Sequence, residues 1–245
     1  MSRLFAALAA LLISLPALAQ EPVRLAPGHA DLATEAVTLA SGTFDVALVQ
    51  PQMQPLGTVA QTVTHHDDGT VSVATVVDIV MGNGGDQVED TTRFAWPSLT
   101  PIAHVRVDHN ARGDEVESVT FDGLHVTGTY QDADAAPVPV DLQLIAPVFG
   151  LGANRTVAQA LPFRAGYAAV VPVFTAEDRL EEYRLEVTGR EDVARPDGET
   201  VSAWIVEETT PEGRTRSYAV DPDTRDLLRI AFAPAPGYLV HFVRR

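Results

Sequence analysis

A mainly β protein is what the sequence predicts: one antiparallel sheet of about twelve strands, a meander, sandwich or barrel, with one or two short helices. Three observations predict it. Apolar and polar residues alternate from Phe44 to the end of the chain, the period of a strand that buries one face. Asp-Gly, Pro-x-Gly and Gly-rich turn signals interrupt that alternation about every 8–12 residues. The connections between runs are short, roughly two to five residues, so sequence neighbours must pair antiparallel.

The elements follow in order. Residues 1–19 stand apart from the fold. Arg3 precedes an apolar run from Leu4 to Leu15, Pro16 ends it, and Ala17-Leu18-Ala19 gives the small-x-small close of a signal peptide. The run is about 12 residues, whereas spanning a bilayer takes about 20. Cleavage after Ala19 is expected, with the mature chain in the periplasm or secreted. No Cys stands at the cut to carry a lipid, and no transmembrane helix is expected after it.

Residues 20–43 form a leader. Pro22, Pro27 and Gly28 keep it extended, and Asp31 is expected to cap a short helix over Leu32 to Leu39 that ends at Gly42. Residues 44–245 form the β domain. Leu56 to Thr64 and Thr70 to Val80 make a hairpin around His65-His66-Asp67-Asp68-Gly69, with Val71, Val73, Thr75, Val77 and Ile79 on one face. Gly82 to Gly85 turns the chain. Thr91 to Trp96, Ile102 to Asp108, Val116 to Phe121, Leu124 to Gln131 and Val138 to Ile145 follow as strands. A short helix is expected over Thr156 to Leu161, capped by Asn154 and stopped by Pro162. Six more strands complete the domain: Tyr167 to Phe174, Glu182 to Thr188, Thr200 to Glu208, Arg214 to Val220, Leu227 to Ala233 and Tyr238 to Val243.

Composition restricts the chemistry. The chain has 33 Asp and Glu against 17 basic residues, a net charge of −16, and loss of Arg3 with the signal takes it to about −17. Such a surface repels nucleic acid and anionic headgroups, so no nucleic acid is expected as a partner. All the basic residues are arginine. Without lysine a Ser-x-x-Lys pair cannot exist, and no G-x-S-x-G elbow is present. Without cysteine there is no disulfide, thiolate ligand or thiol nucleophile. Gly82 to Gly85 lacks the lysine and helix of a phosphate loop. The chain therefore reads as a non-enzyme, with no catalytic residue, no cofactor and no metal.

Several clusters stand against that reading. His65, His66, Asp67 and Asp68 sit where the backbone turns, as a metal site would need, and equally suit a solvated hairpin. His104, Arg106 and Asp108 share one face of a strand and His109 points away. An imidazole beside a carboxylate suits zinc or proton transfer, but Arg106 between them favours a surface salt-bridge ladder. The acid groups Asp86/Glu89/Asp90 and Glu181/Glu182 are the pairs a glycosidase would use, in a chain where acids are abundant. Phe94, Trp96, Phe121, Tyr130, Phe174, Tyr183, Trp204, Tyr218, Phe232, Tyr238 and Phe242 are either sheet core or the lining of a pocket. Of these, Trp96, Phe121, Phe174, Trp204 and Tyr238 are the candidate ligand-lining residues.

The C-terminal third carries a resemblance. It reads Val187-Thr188-Gly189-Arg190-Glu191-Asp192-Val193, then Gly198 to Glu207, then Tyr218-Ala219-Val220-Asp221-Pro222-Asp223-Thr224-Arg225-Asp226-Leu227-Leu228-Arg229. From Val170 to Val243 the chain resembles a family of exported bacterial β proteins of unknown function, similar in fold to the lipoprotein-localisation carriers. The resemblance implies a strongly curved sheet, a half-barrel or open barrel around a greasy cavity. It implies no catalytic residues. Asp221-Pro222-Asp223-Thr224 is also plain turn chemistry: Pro222 presets a dihedral and the Asp side chains bond nearby backbone.

Three functions follow from these expectations. The first is a non-catalytic cell-envelope protein holding an apolar ligand or a lipidated partner on a concave sheet face. The second is a structural protein that docks another envelope protein through an edge strand or patch. The third is a hydrolase whose site is not visible in the sequence.

Overall fold

The computed structural model describes residues 21–49, 53–81, 84–110, 112–133, 135–176, 180–235 and 237–245. The signal-peptide reading falls on residues 1–19, outside this set.

The described chain is mainly β, one large and mostly antiparallel sheet of 16 strands with one short α-helix. The first half supplies β1 (Val23–Arg24), β2 (Gly42–Val49), β3 (Met53–His65), β4 (Thr70–Met81) and β5 (Gly84–Ala95). It continues with β6 (Thr100–Asn110), β7 (Gly113–Asp122), β8 (His125–Gln131), β9 (Val138–Gln143) and β10 (Phe149–Gly150). After α1 (Asn154–Ala160) come β11 (Ala168–Phe174), β12 (Glu181–Ala194), β13 (Thr200–Thr209), β14 (Thr215–Val220), β15 (Leu227–Phe232) and β16 (Leu239–Arg244). Three of these have no counterpart among the expected runs: β1, β2 and β10. β1 and β10 are two residues each, too short to leave a periodic signal.

Two wings of consecutive hairpins meet at one seam. Strands β2 to β9 form one wing and β11 to β16 the other, and β16 joins β2 antiparallel, from Leu239 opposite Val49 to Arg244 opposite Phe44. The sheet is neither closed nor strongly curled, which corrects the expected half-barrel. The reason lies at the outer edge of β11. Short parallel pairings with β1 and β10 occupy that edge, so the ladder ends at β9 without returning to it.

The apolar face of both wings packs on α1. Val157, Ala158 and Ala160 of the helix share one buried cluster with Val59, Val71 and Phe94 of one wing and with Val187, Val206 and Tyr218 of the other. A helix of seven residues is not stable alone, and Arg225 holds its end. The guanidinium donates to the carbonyls of Gln159 at 2.7 Å and Leu161 at 3.1 Å. Gln159 donates back to the Arg225 carbonyl at 2.7 Å, and the cation lies 4.4 Å from the centre of the Phe163 ring.

The helix begins differently from the expected capped start. Ala153 is the N-cap with no side-chain bond, and Asn154 is already helical. The expected helix over Leu32 to Leu39 is a single 3-10 turn, Thr34–Ala36, and Gly42 opens β2. Asp31 does not cap it. Its carboxylate instead accepts a hydrogen bond from the Tyr167 hydroxyl at 2.9 Å, which ties the leader to the second wing.

Two glycines, Gly57 and Gly128, are required by close approach, a Cβ on Gly128 standing 2.0 Å from the Ser118 carbonyl oxygen. β2 and β3 slip register between Val46 and Ala47, opposite Gly57 and Pro55. A Cβ on Gly57 would stand 2.0 Å from the Asp78 carbonyl oxygen.

Candidate functional site: a polar cavity beside the helix

Strand period two and cross-strand register assemble the site. On β5, β6 and β7, Asp90 lies opposite Arg106 and Arg106 opposite Glu117, and the row continues to Tyr130 on β8. One step along the same face, His104 stands opposite Thr92 and Val119. On the other wing, Glu208 of β13 lies opposite Arg216 of β14, and Arg216 opposite Phe232 of β15. Tyr218 is two residues on from Arg216, on the same face. The turn Leu151–Gly152 and the first residues of α1, Asn154 and Arg155, sit between these two rows.

Together they enclose a cavity of about 510 Å3, lined by Asp90, Arg106, Leu151, Asn154, Arg155, Tyr183, Glu208, Arg214, Arg216, Tyr218 and Phe232 among others. A second space of about 200 Å3 shares Arg106, Leu151, Tyr183 and Arg214 with it and extends towards Glu117 and Tyr130. The lining is mixed rather than greasy, with guanidinium, carboxylate and phenol groups beside Leu151, Phe232 and Pro234.

The charges in the walls are mostly committed. His104 is 1% exposed, with Nε2 at 2.9 Å from Asp90 and Nδ1 at 3.2 Å from Glu117. Burial disfavours the imidazolium, but the hydrogen bonds and charges of the two carboxylates outweigh it and push the His104 pKa up to about 9. Both ring nitrogens are engaged, so the imidazole has no lone pair free for general-base chemistry. Glu208, fully buried, accepts the Tyr218 hydroxyl proton at 2.8 Å and lies 3.4 Å from the Arg216 guanidinium. Burial, then the Glu208 charge, raises the Tyr218 phenol well above its ordinary value. Arg106 bonds Asp108, and Arg214 bonds Glu212. Arg155 is the exception. Among the described residues it makes no hydrogen bond and no ion pair, and burial pushes its pKa down against the attraction of Asp90 and Glu208. The Oδ1 of Asn154 and Oε1 of Glu208 are buried without hydrogen-bond partners.

The candidates read from the sequence fall in different places on this arrangement. His104 belongs to a buried triad and not to a surface ladder; Arg106 and Asp108 do pair, at 3.2 Å. His109 pairs with Asp114. His66 bonds Ser72, and Asp68 bonds Thr70 and Arg93, so the first cluster is a stapled hairpin. Among the described residues no group of three His, Asp or Glu is placed to hold a metal. Of the acid groups, Asp90 lines the main cavity and Glu181 the smaller one. The five ligand-lining candidates do not share a pocket. Trp96 packs near Phe94, and Phe121 meets Phe174 edge to face. Trp204 stacks on Phe163, and Tyr238 is 49% exposed. From the wider aromatic set, Tyr183, Tyr218 and Phe232 do line the cavity.

Arg155, Arg214, Arg216 and Glu208 do not stand out in the sequence. The available signal is polar residues at interior parity in apolar strands, Tyr183, Glu208 and Arg216 above all.

The fold and the cavity define an open antiparallel β protein folded around a polar, solvent-accessible space. By sequence the chain belongs to the family described as protein of unknown function DUF3108, whose model matches residues 43–237. That match takes in nearly the whole β domain, well beyond the C-terminal third that carries the resemblance. Among solved structures the chain is similar to a β-barrel-like protein of domain of unknown function DUF1849 from Brucella abortus. The TM-score is 0.54 at 10% identity, over 85% of this chain and 97% of that one. No curated protein matches the chain.

Proposed function

We propose that this is an exported, non-catalytic envelope protein that holds a ligand in the cavity between α1 and the two wings. The observation that carries the reading is the cavity itself, about 510 Å3 and sharing four lining residues with a further space of about 200 Å3, within the size range of small-molecule sites. The lining changes the expected ligand. A purely apolar molecule would leave the Arg155 guanidinium and the Asn154 Oδ1 without partners. A molecule with a polar end and an apolar stretch satisfies the guanidiniums and also covers Leu151, Phe232 and Pro234. The engaged nitrogens of His104 support a role without catalysis.

Native mass spectrometry of the mature protein purified from its own envelope, followed by lipid extraction, tests this. A near-stoichiometric amphiphile is the expected result, on a chain beginning at Gln20. An empty protein that co-purifies with another envelope protein would overturn it in favour of a docking role.

A further inference from the structure

The cavity walls hold four guanidiniums, Arg106, Arg155, Arg214 and Arg216, and two carboxylates, Asp90 and Glu208. Each carboxylate already has a partner: Asp90 has His104, and Glu208 has Tyr218 with Arg216 close by. Arg106 and Arg214 each spend part of their donor set on a neighbouring acid. Arg155 spends none of its own on the described residues. Arg155 is half-buried at the start of α1, within electrostatic reach of Asp90 on one wing and Glu208 on the other, so its donors are held at the cavity and left for a ligand. The surroundings sharpen the contrast. The protein carries a net charge of −16, and Glu115, Glu117 and Glu181 line the adjoining space, so the uncommitted donors of Arg155, and not a net positive field, are what distinguish this cavity.

We propose that Arg155 anchors an anion site in this cavity, taking the carboxylate or phosphate headgroup of an amphiphile, with Arg214 and Arg216 as flanking cations. The planar guanidinium fork presents paired donors to such an oxyanion. The apolar chain next to the headgroup lies against Leu151, Phe232 and Pro234. This rests on the reading that the cavity is a ligand site and adds the chemistry of the ligand's polar end.

Isothermal titration calorimetry on the mature chain, in a chloride buffer of low ionic strength at pH 7, separates the two ideas. The probes are decyl phosphate and decyl maltoside, both below their micelle concentrations, and inorganic phosphate. Decyl phosphate is expected to bind at least about tenfold more tightly than decyl maltoside, and Arg155→Gln to erase that margin while leaving decyl maltoside unchanged. Arg155→Lys, which keeps the charge and loses the fork, is expected to fall between them. The ligand-free Arg155→Gln protein should melt no lower than the parent, because no hydrogen bond or ion pair to a described residue is lost. Equal binding of both decyl probes, unaffected by Arg155→Gln, would sink the anion site and leave the cavity reading standing. No binding of either decyl probe would sink both. Inorganic phosphate binding as tightly as decyl phosphate would overturn the amphiphile and assign a free oxyanion.

Discussion

Tyr218 donates its hydroxyl proton to Glu208 at 2.8 Å, and neither side chain reaches solvent. The bond runs between adjacent strands at the floor of the cavity and leaves the other carboxylate oxygen to Arg216. Tyr218→Phe removes the hydroxyl without changing the ring. It should destabilise the protein by about 1–3 kcal/mol, because a buried acceptor loses its donor. Denaturant unfolding measures this. No change in midpoint would show that Arg216 alone satisfies Glu208.

His104 gives the fold a pH dependence on the alkaline side. Asp90 and Glu117 face it and raise its pKa from 6.5 in the reference state to about 9 in the fold. A raised pKa means that stability is fully present below pH 6.5 and is lost as pH rises through 9. The shift corresponds to something on the order of 3 kcal/mol. Unfolding measured from pH 6 to 10 should show this decline, and His104→Gln should flatten it. A parent profile as flat as that of the variant would count against a charged imidazole.

The Asp221 turn is a lock between strands. Its carboxylate accepts from the Arg195 guanidinium at 2.6 Å and from the backbone of Asp223 and Thr224 at 2.9 and 3.1 Å. Burial pushes the Asp221 pKa up, but these donors outweigh it and hold it below the usual carboxylate range. Its contribution is therefore present above the ordinary Asp pKa and lost as pH falls through the lowered one. Asp221→Ala should cost about 3 kcal/mol and abolish that acid-side loss. Thermal melts at pH 7 and at pH 3 for both proteins check it.

Gly57→Ala should be among the most damaging single-methyl changes in the chain. The new Cβ meets a backbone carbonyl oxygen of β4 at 2.0 Å, which no side-chain rotation relieves. A loss of about 2–4 kcal/mol in denaturant unfolding is expected. Gly69→Ala, at a turn where a Cβ meets nothing within 4 Å, gives the comparison and should cost less.

Local chemistry is legible in the sequence and long-range convergence is not. The Asp221 to Thr224 turn and the His65 to Gly69 hairpin follow from residue types over four and five positions, and the structure has both. The seam between β16 and β2 joins segments about two hundred residues apart, beyond the reach of any local pattern. His104 shows the same limit. It does share a face with Arg106 and Asp108, but β6 turns its polar side inward and leaves Val105 42% exposed. The acids that receive His104 come from the strands on either side. Arg155 is invisible for a related reason: a polar residue on a short helix reads as solvent-facing until both wings are seen to face it.

An open sheet of this width presents two raw edges, each a template on which another chain can grow. Both are blunted here. The edge of β11 is capped by two strands of two residues each, and β9 carries Pro139, opposite Thr129 of β8. Proline has no amide hydrogen to offer an incoming strand. Pro139→Val should therefore make the mature chain more prone to self-association, read as a larger species in size-exclusion chromatography.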